Sequence, residues 1–137
     1  MMLNWKAVIL GAIVDFVGSY FGSFILALLW VAALRISGMP GDQASELTSN
    51  HPLFLAISVT IGWFFDYLAG KVAASFSNAN GPFNGVAAVV PGVVLELVET
   101  FGSASFPVPA WIILILCAVS IACGYYGGGK AKKVGKS

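Results

Sequence analysis

Four apolar segments, each long enough to cross a lipid bilayer as a helix, take up most of this 137-residue chain. They run over residues 5–34, 52–76, 83–101 and 107–129. A helix needs roughly 20 apolar residues to cross the ~30 Å hydrocarbon core of a bilayer. Only 9% of the residues are charged, whereas soluble domains carry about 25%. The sequence therefore predicts a membrane protein.

The class of fold follows from the need to satisfy backbone polar groups in lipid. Only helices and closed β-barrels do so, and the alternation of polar and apolar residues that marks barrel strands is absent here. We expect an all-α polytopic membrane protein in which residues 1–137 form one transmembrane domain with four helices. The similar segments YLAGKVA (67–73) and YGGGKAK (126–132) suggest two helical hairpins of like orientation.

The links between these helices are short and rich in residues that favour turns. Residues 37–51 form the one long polar loop, for which we expect at most a helical turn starting at Asp42. Residues 77–82 read as a tight turn, and residues 102–109 as a short link. The Pro91-Gly92 pair predicts a kink or an interruption in the third transmembrane helix.

Orientation follows from the distribution of basic residues. Six lysines lie near the helix ends on one side of the predicted bundle, whereas one basic residue, Arg35, lies on the other. Positively charged residues are enriched on the cytoplasmic side, so we expect both termini in the cytoplasm of a multi-pass protein of the inner membrane. The six are Lys6, Lys71, Lys130, Lys132, Lys133 and Lys136.

Three carboxylates, Asp15, Asp66 and Glu96, interrupt the apolar segments. An ionisable group is costly in hydrocarbon, so each should face another helix, a cavity or a pathway. At 1.5 Å per residue, Asp15 and Asp66 both fall in the cytoplasmic half and are able to meet, whereas Glu96 falls in the outer half. Two carboxyl groups that meet in a dry interface are able to share a proton. All three are candidate ion-binding or proton-binding residues.

A purely structural role for these acids is the alternative. Each carboxyl group would then be protonated or hydrogen-bonded to a nearby side chain such as Ser19 or Thr60. At the outer side, Arg35 and Glu99 are predicted to form an ion pair that holds two helices together.

Small residues recur on one face of every predicted transmembrane helix. The pattern G-x3-D-x2-small-x3-small occurs in the first helix and again in the second. Small residues allow helix backbones to approach closely in lipid, so we expect these positions to pack helices within the bundle or between subunits. They are Gly11, Gly18, Gly22, Gly62, Ala69, Ala73, Gly85, Gly92, Gly124 and Gly128.

No motif of an enzyme, a metal site or a cofactor site stands out from the sequence. The two cysteines, Cys117 and Cys123, are six residues apart on one apolar segment, and His51 lies in a loop. No serine is paired with a base in the manner of a nucleophile, and no basic and aromatic pattern indicates nucleic acid. We expect no enzymatic activity, no cofactor and no metal.

The middle of the chain reads GWFFDYLAGKVAA (62–74), followed by GPFNGVAAVV (81–90). These segments resemble those of a class of small prokaryotic four-helix membrane proteins of unknown function. These proteins carry a pattern like GGYxAGRxA, followed by a polar turn and LxGxxVG. Tyr67, Ala69, Gly70, Lys71 and Ala73 match the first element, and Gly85 matches the second. The chain departs from the pattern by carrying lysine for arginine and by placing Trp63 and Phe64 before an aspartate. The resemblance implies architecture alone.

Two functions remain open from the sequence, of which the first is the leading interpretation and the second the alternative. The first is a structural or accessory subunit, which contacts the lipid bilayer and associates through its small-residue faces with itself or with a membrane complex. The second is a small proton-coupled or cation-coupled transporter or channel that uses the intramembrane carboxylates. A closed seam around Asp15 and Asp66 favours the first, and an open cavity favours the second.

Overall fold

Five helices make up the computed structural model, which describes residues 3–77, 80–102 and 109–131, without the side chains of residues 49, 50 and 99–102. They are α1 (Trp5–Ile36), α2 (Gly41–Asn50), α3 (Pro52–Ser75), α4 (Gly81–Gly102) and α5 (Ala110–Lys130). The described residues contain no β-strand. Four of the helices, α1, α3, α4 and α5, are long and apolar enough to cross a membrane. The prediction of an all-α polytopic membrane protein is confirmed.

Local sequence explains where α1 and α3 begin. The Asn4 side chain accepts a hydrogen bond from the backbone N–H of Ala7 and so caps α1. The ring of His51 accepts a hydrogen bond from the backbone N–H of Leu53, and Pro52 occupies the first position of α3, where its missing N–H costs nothing.

Pro91 does not interrupt its helix. α4 is one continuous helix on both sides of this residue, so the predicted interruption at Pro91-Gly92 is not found. Proline removes a single backbone hydrogen bond from the helix, and contacts with α1, α3 and α5 stabilise α4. Whether α4 bends at this residue stays a prediction.

The predicted loop between the first two transmembrane helices contains a ten-residue helix, α2, where we expected at most a turn. Ala44 and Thr48, one helical turn apart, are both buried, and α2 contacts α1 and α3. The Thr48 hydroxyl also donates a hydrogen bond to the Ala44 carbonyl. Tertiary contact along this face therefore stabilises a helix that the composition of the loop disfavours.

The four long helices form a bundle with α3 and α4 in its centre. These two contact each other, while α1 and α5 each contact both of them and do not contact one another within the described residues. Glycine contacts show that α1 runs antiparallel to α3 and that α4 runs antiparallel to α5. The bundle thus consists of two antiparallel hairpins side by side.

Glycines close one end of this bundle. At the end where α3 and α5 finish and α4 begins, the backbones of these three helices touch directly. A Cβ added to Gly70 or Gly85 would collide with the carbonyl oxygen of Gly124, and one added to Gly81 would lie 2.6 Å from the carbonyl oxygen of Gly128. We call these contacts, together with those of Gly127, the glycine seam.

A buried asparagine ties the same end of the bundle together. Asn84 is fully buried, and its side-chain amide donates hydrogen bonds to the Ser77 hydroxyl at 3.0 Å and to the Asn80 carbonyl at 3.1 Å. Its side-chain oxygen accepts a hydrogen bond from the backbone N–H of Asn4, whose own side chain bonds to the Phe76 carbonyl. The beginnings of α1 and α4 are thereby fixed to the end of α3.

Candidate functional site

A pocket of about 440 Å³ lies beyond the glycine seam, about midway along the four long helices, and all four contribute to its walls. The antiparallel packing of α1 and α3 brings Asp15 level with Asp66, Ser19 level with Gly62, and Ser23 level with Ser58. Each of these three pairs lies on the pocket wall. The pocket therefore begins at the two aspartates and extends about 12 Å away from the seam.

The two aspartates lie together at the inner end of the pocket. Both are 6% exposed, and their carboxyl groups lie close enough to interact with each other. Ser19 donates a hydrogen bond to Asp15 at 3.5 Å, and Ser120 of α5 contacts Asp66. Two carboxyl groups form a mutual hydrogen bond only when one of them carries a proton. This arrangement is able to hold one proton between two acids.

Glu96 lines the same pocket as the aspartate pair. Asp15 lies against Gly92, where an added Cβ would be 2.7 Å from an Asp15 carboxylate oxygen, and Glu96 follows one helical turn later. The sequence placed Glu96 in a different half of the bilayer from the pair, but one turn is only about 6 Å, which is shorter than the pocket.

The pocket opens between α1 and α4. Phe16 and Tyr20 of α1, together with Leu95 and Glu96 of α4, line the pocket and are also exposed. A side chain that does both lies at an opening. The residues of α3 and α5 that line the pocket are half-buried or buried, Trp63 and Ser120 among them. They form its floor.

Ser58 lines the pocket with part of its surface, and its hydroxyl is buried. Its Oγ is buried and makes no hydrogen bond within the described residues. Hydroxyls in membrane helices commonly bond to the carbonyl four residues earlier, as Thr60 does with Ala56 on the same helix. Ser58 does not, so its buried hydroxyl has no hydrogen-bond partner among the described residues.

Most of the small residues predicted to pack helices do so inside the bundle. A Cβ on Gly11 would lie 2.7 Å from the Ala69 carbonyl oxygen and 2.9 Å from the Ala73 side chain, while Gly18 and Gly22 face side chains of α3. Gly62 is different, because a Cβ there would meet no atom within 4 Å. Gly62 lies on the pocket wall and leaves space in the pocket rather than admitting a helix.

The predicted ion pair of Arg35 and Glu99 falls partly outside the described side chains. Glu99 belongs to α4, but its side chain is not among those described. Arg35 is exposed, and its guanidinium carbon lies 3.7 Å from the position of a Cβ on Gly41 at the start of α2. The ion pair stays a prediction.

Several pocket residues were not recognised from the sequence as candidates, among them Ser120, Ser58 and Trp63. The two serines are not paired with a base in the sequence, and Trp63 was assigned to no site. A signal for Ser120 did exist: it is four residues before Gly124, just as Asp66 is four residues before Gly70. Once Gly124 packs on Gly70, Ser120 must face Asp66.

No protein family, curated protein or solved structure matches this chain. The resemblance to small prokaryotic four-helix proteins therefore stays a prediction. Among the described residues, no group of three or more His, Cys, Asp and Glu side chains is arranged to hold a metal ion.

Proposed function

We propose that this multi-pass membrane protein is a small proton-coupled cation transporter whose binding site is the Asp15–Asp66 pair. The observation that carries the proposal is the contact between the two buried carboxyl groups at the end of a pocket among membrane-spanning helices. A proton shared by two carboxylates is readily exchanged for another cation, because either occupant offsets the charge repulsion between the acids.

The shape of the bundle is consistent with one-sided access to this site. The glycine seam closes the bundle on one side of the aspartates, and the pocket occupies the other side. Lys71 and Lys130 lie at the seam end. By the distribution of basic residues, that end would be cytoplasmic and the membrane would be the inner membrane. The pocket would then face the outer half of the bilayer.

The test is proton movement in proteoliposomes that contain a pH-sensitive dye. Gradients of Na⁺, K⁺ and octylammonium are imposed in turn, and protein-free vesicles report passive leakage, including permeation of the neutral amine. We expect at least one cation to drive proton movement above that background. Asp15→Asn and Asp66→Asn should return the rate to background, since neither variant holds a shared acidic proton.

Asp42→Asn is the matched control for this test. This variant makes the same chemical change at an exposed position of α2, outside the pocket. The rate of proton movement in Asp42→Asn should therefore equal that of the unmodified protein. Unchanged rates in both pocket variants, or no cation-driven movement at all, would contradict the proposal.

An assembly or accessory role is the second candidate. The small-residue stripes that suggested it from the sequence are largely used between helices of one chain, so an interface between subunits would have to use other surfaces. Pocket variants that change the oligomeric state or the stability, while leaving proton movement intact, would favour this role.

A further inference from the structure

The pocket also carries information about the kind of cation it takes. We infer that it binds a lipophilic primary ammonium ion, with the head group at the carboxyl groups and the apolar body in the opening between α1 and α4. This inference rests on the proposed function and names the substrate class of the same site.

Size argues against a bare ion as the only occupant. A volume of about 440 Å³ falls in the range of roughly 300–1,000 Å³ that is typical of pockets for small organic molecules. A proton or a dehydrated metal ion would fill only the inner end, at Asp15 and Asp66. The remaining 12 Å or so of pocket would be left for an organic body.

Charge and hydrogen bonding select the head group. The pocket is lined by three carboxyl groups and by no Lys, Arg or His side chain among the described residues. Oxygen atoms of Asp15, Asp66 and Ser120 converge at its inner end. A primary ammonium has three N–H donors for such acceptors.

The residues at the opening between α1 and α4 favour an apolar body on the bound cation. Phe16 and Tyr20 stand side by side on α1, with ring centroids 4.7 Å apart, and Leu95 lies on α4 across the opening. All three are exposed on a membrane-spanning helix, so the opening faces lipid tails. A cation near aromatic faces gains further attraction. An alkyl chain attached to the ammonium would remain in apolar surroundings from the pocket to the bilayer.

The experiment measures equilibrium binding of radiolabelled octylammonium to the full chain in phosphatidylcholine nanodiscs, with empty nanodiscs as the partition background. We expect saturable binding, with competition by methylammonium weaker by about tenfold or more because its apolar chain is missing. Octanol, which lacks the charge, and octyltrimethylammonium, which lacks N–H donors, should also compete at least about tenfold more weakly than unlabelled octylammonium.

Variants separate the head-group site from the body site. Glu96→Gln should weaken the binding of octylammonium and of methylammonium alike, by about tenfold. Tyr20→Ala should weaken the binding of octylammonium by about fivefold or more and leave the binding of methylammonium unchanged. This substitution removes only a contact with the apolar body. Asp42→Asn should change neither affinity.

Several results would overturn the inference: no binding above empty nanodiscs, octanol or octyltrimethylammonium competing as well as octylammonium, or Glu96→Gln and Tyr20→Ala leaving affinity unchanged. Proton movement driven by Na⁺ or K⁺, without octylammonium binding, would overturn this inference and leave the proposed function standing. Octylammonium binding that follows the expected pattern, without any proton movement, would overturn the proposed function and leave this inference standing.

Discussion

Replacing Gly127 by alanine should destabilise the bundle by more than about 2 kcal/mol, as expected for forced overpacking in a closely packed interface. Gly127 belongs to the glycine seam, where its Cα faces the backbone of α3. A Cβ there would collide with the Tyr67 carbonyl oxygen and lie 3.0 Å from the backbone nitrogen of Lys71. Backbone atoms inside a helix cannot rotate away as a side chain does, so α3 and α5 must separate.

Gly129, two residues further along α5, provides a matched control. A Cβ there would come no closer than 4.0 Å, to a Pro82 ring carbon, and the residue is exposed. Gly129→Ala should leave the free energy of unfolding unchanged or raise it by up to about 1 kcal/mol, because alanine replaces glycine in a helix without a new contact. Unfolding of both variants in mixed micelles of mild detergent and dodecyl sulfate, followed by tryptophan fluorescence, measures the difference. Equal stabilities would show that the glycine seam does not hold the bundle together.

Replacing Gly62 by leucine should abolish cation binding and proton movement without unfolding the protein. No atom lies within 4 Å of a Cβ at this position, and the residue lines the pocket, so the new side chain has nowhere to go except into the pocket. Stability should be unchanged or higher, since glycine inside a helix costs up to about 1 kcal/mol relative to other apolar residues.

Thr60→Leu controls for added apolar bulk on the same helix. Thr60 is exposed and is not among the residues that line the pocket, so this variant should bind and transport like the unmodified protein. The measurements are octylammonium binding in nanodiscs and proton movement in proteoliposomes. Full activity in Gly62→Leu would mean that the pocket is not the site of binding.

The transmembrane helices were predictable because length and hydropathy alone determine them. The four predicted segments agree with α1, α3, α4 and α5 to within three residues at every described end. α2 was missed for the opposite reason. Its stability depends on Ala44 and Thr48 being buried against α1 and α3, and contacts of this kind leave little trace in a polar ten-residue segment.

The site was only partly predictable, because it depends on the register between helices. Depths estimated from the nearest lysines place Asp15 and Asp66 in the same half of the bilayer, and the structure brings these two residues together. The same reasoning applied to α3 and α5 would align Lys71 with Lys130 and set Asp66 opposite Tyr125. The glycine seam instead aligns Gly70 with Gly124, which brings Ser120 to Asp66. Lysine side chains are long enough to reach the interface from several depths, whereas glycine contacts fix one register.

Gly62 shows a second limit of the sequence. It has the same place in its stripe as Gly11 has in α1, and the two positions were assigned the same packing role. The structure places Gly11 against α3 and α4, and Gly62 against an empty space. A glycine that packs against a neighbouring helix and a glycine that leaves room for a ligand look the same in the sequence. Only the arrangement of the surrounding helices distinguishes them.

The central claim, that Asp15 and Asp66 share one proton in a membrane-embedded pocket, is tested most directly by infrared spectroscopy of the protein in lipid. A protonated carboxylic acid has a carbonyl stretch that is separate from those of amides and carboxylates. The account predicts one such band that shifts in D₂O, disappears in Asp15→Asn and in Asp66→Asn, persists in Asp42→Asn, and is lost when octylammonium binds. A spectrum without this band, or a band that survives in both pocket variants, would contradict it.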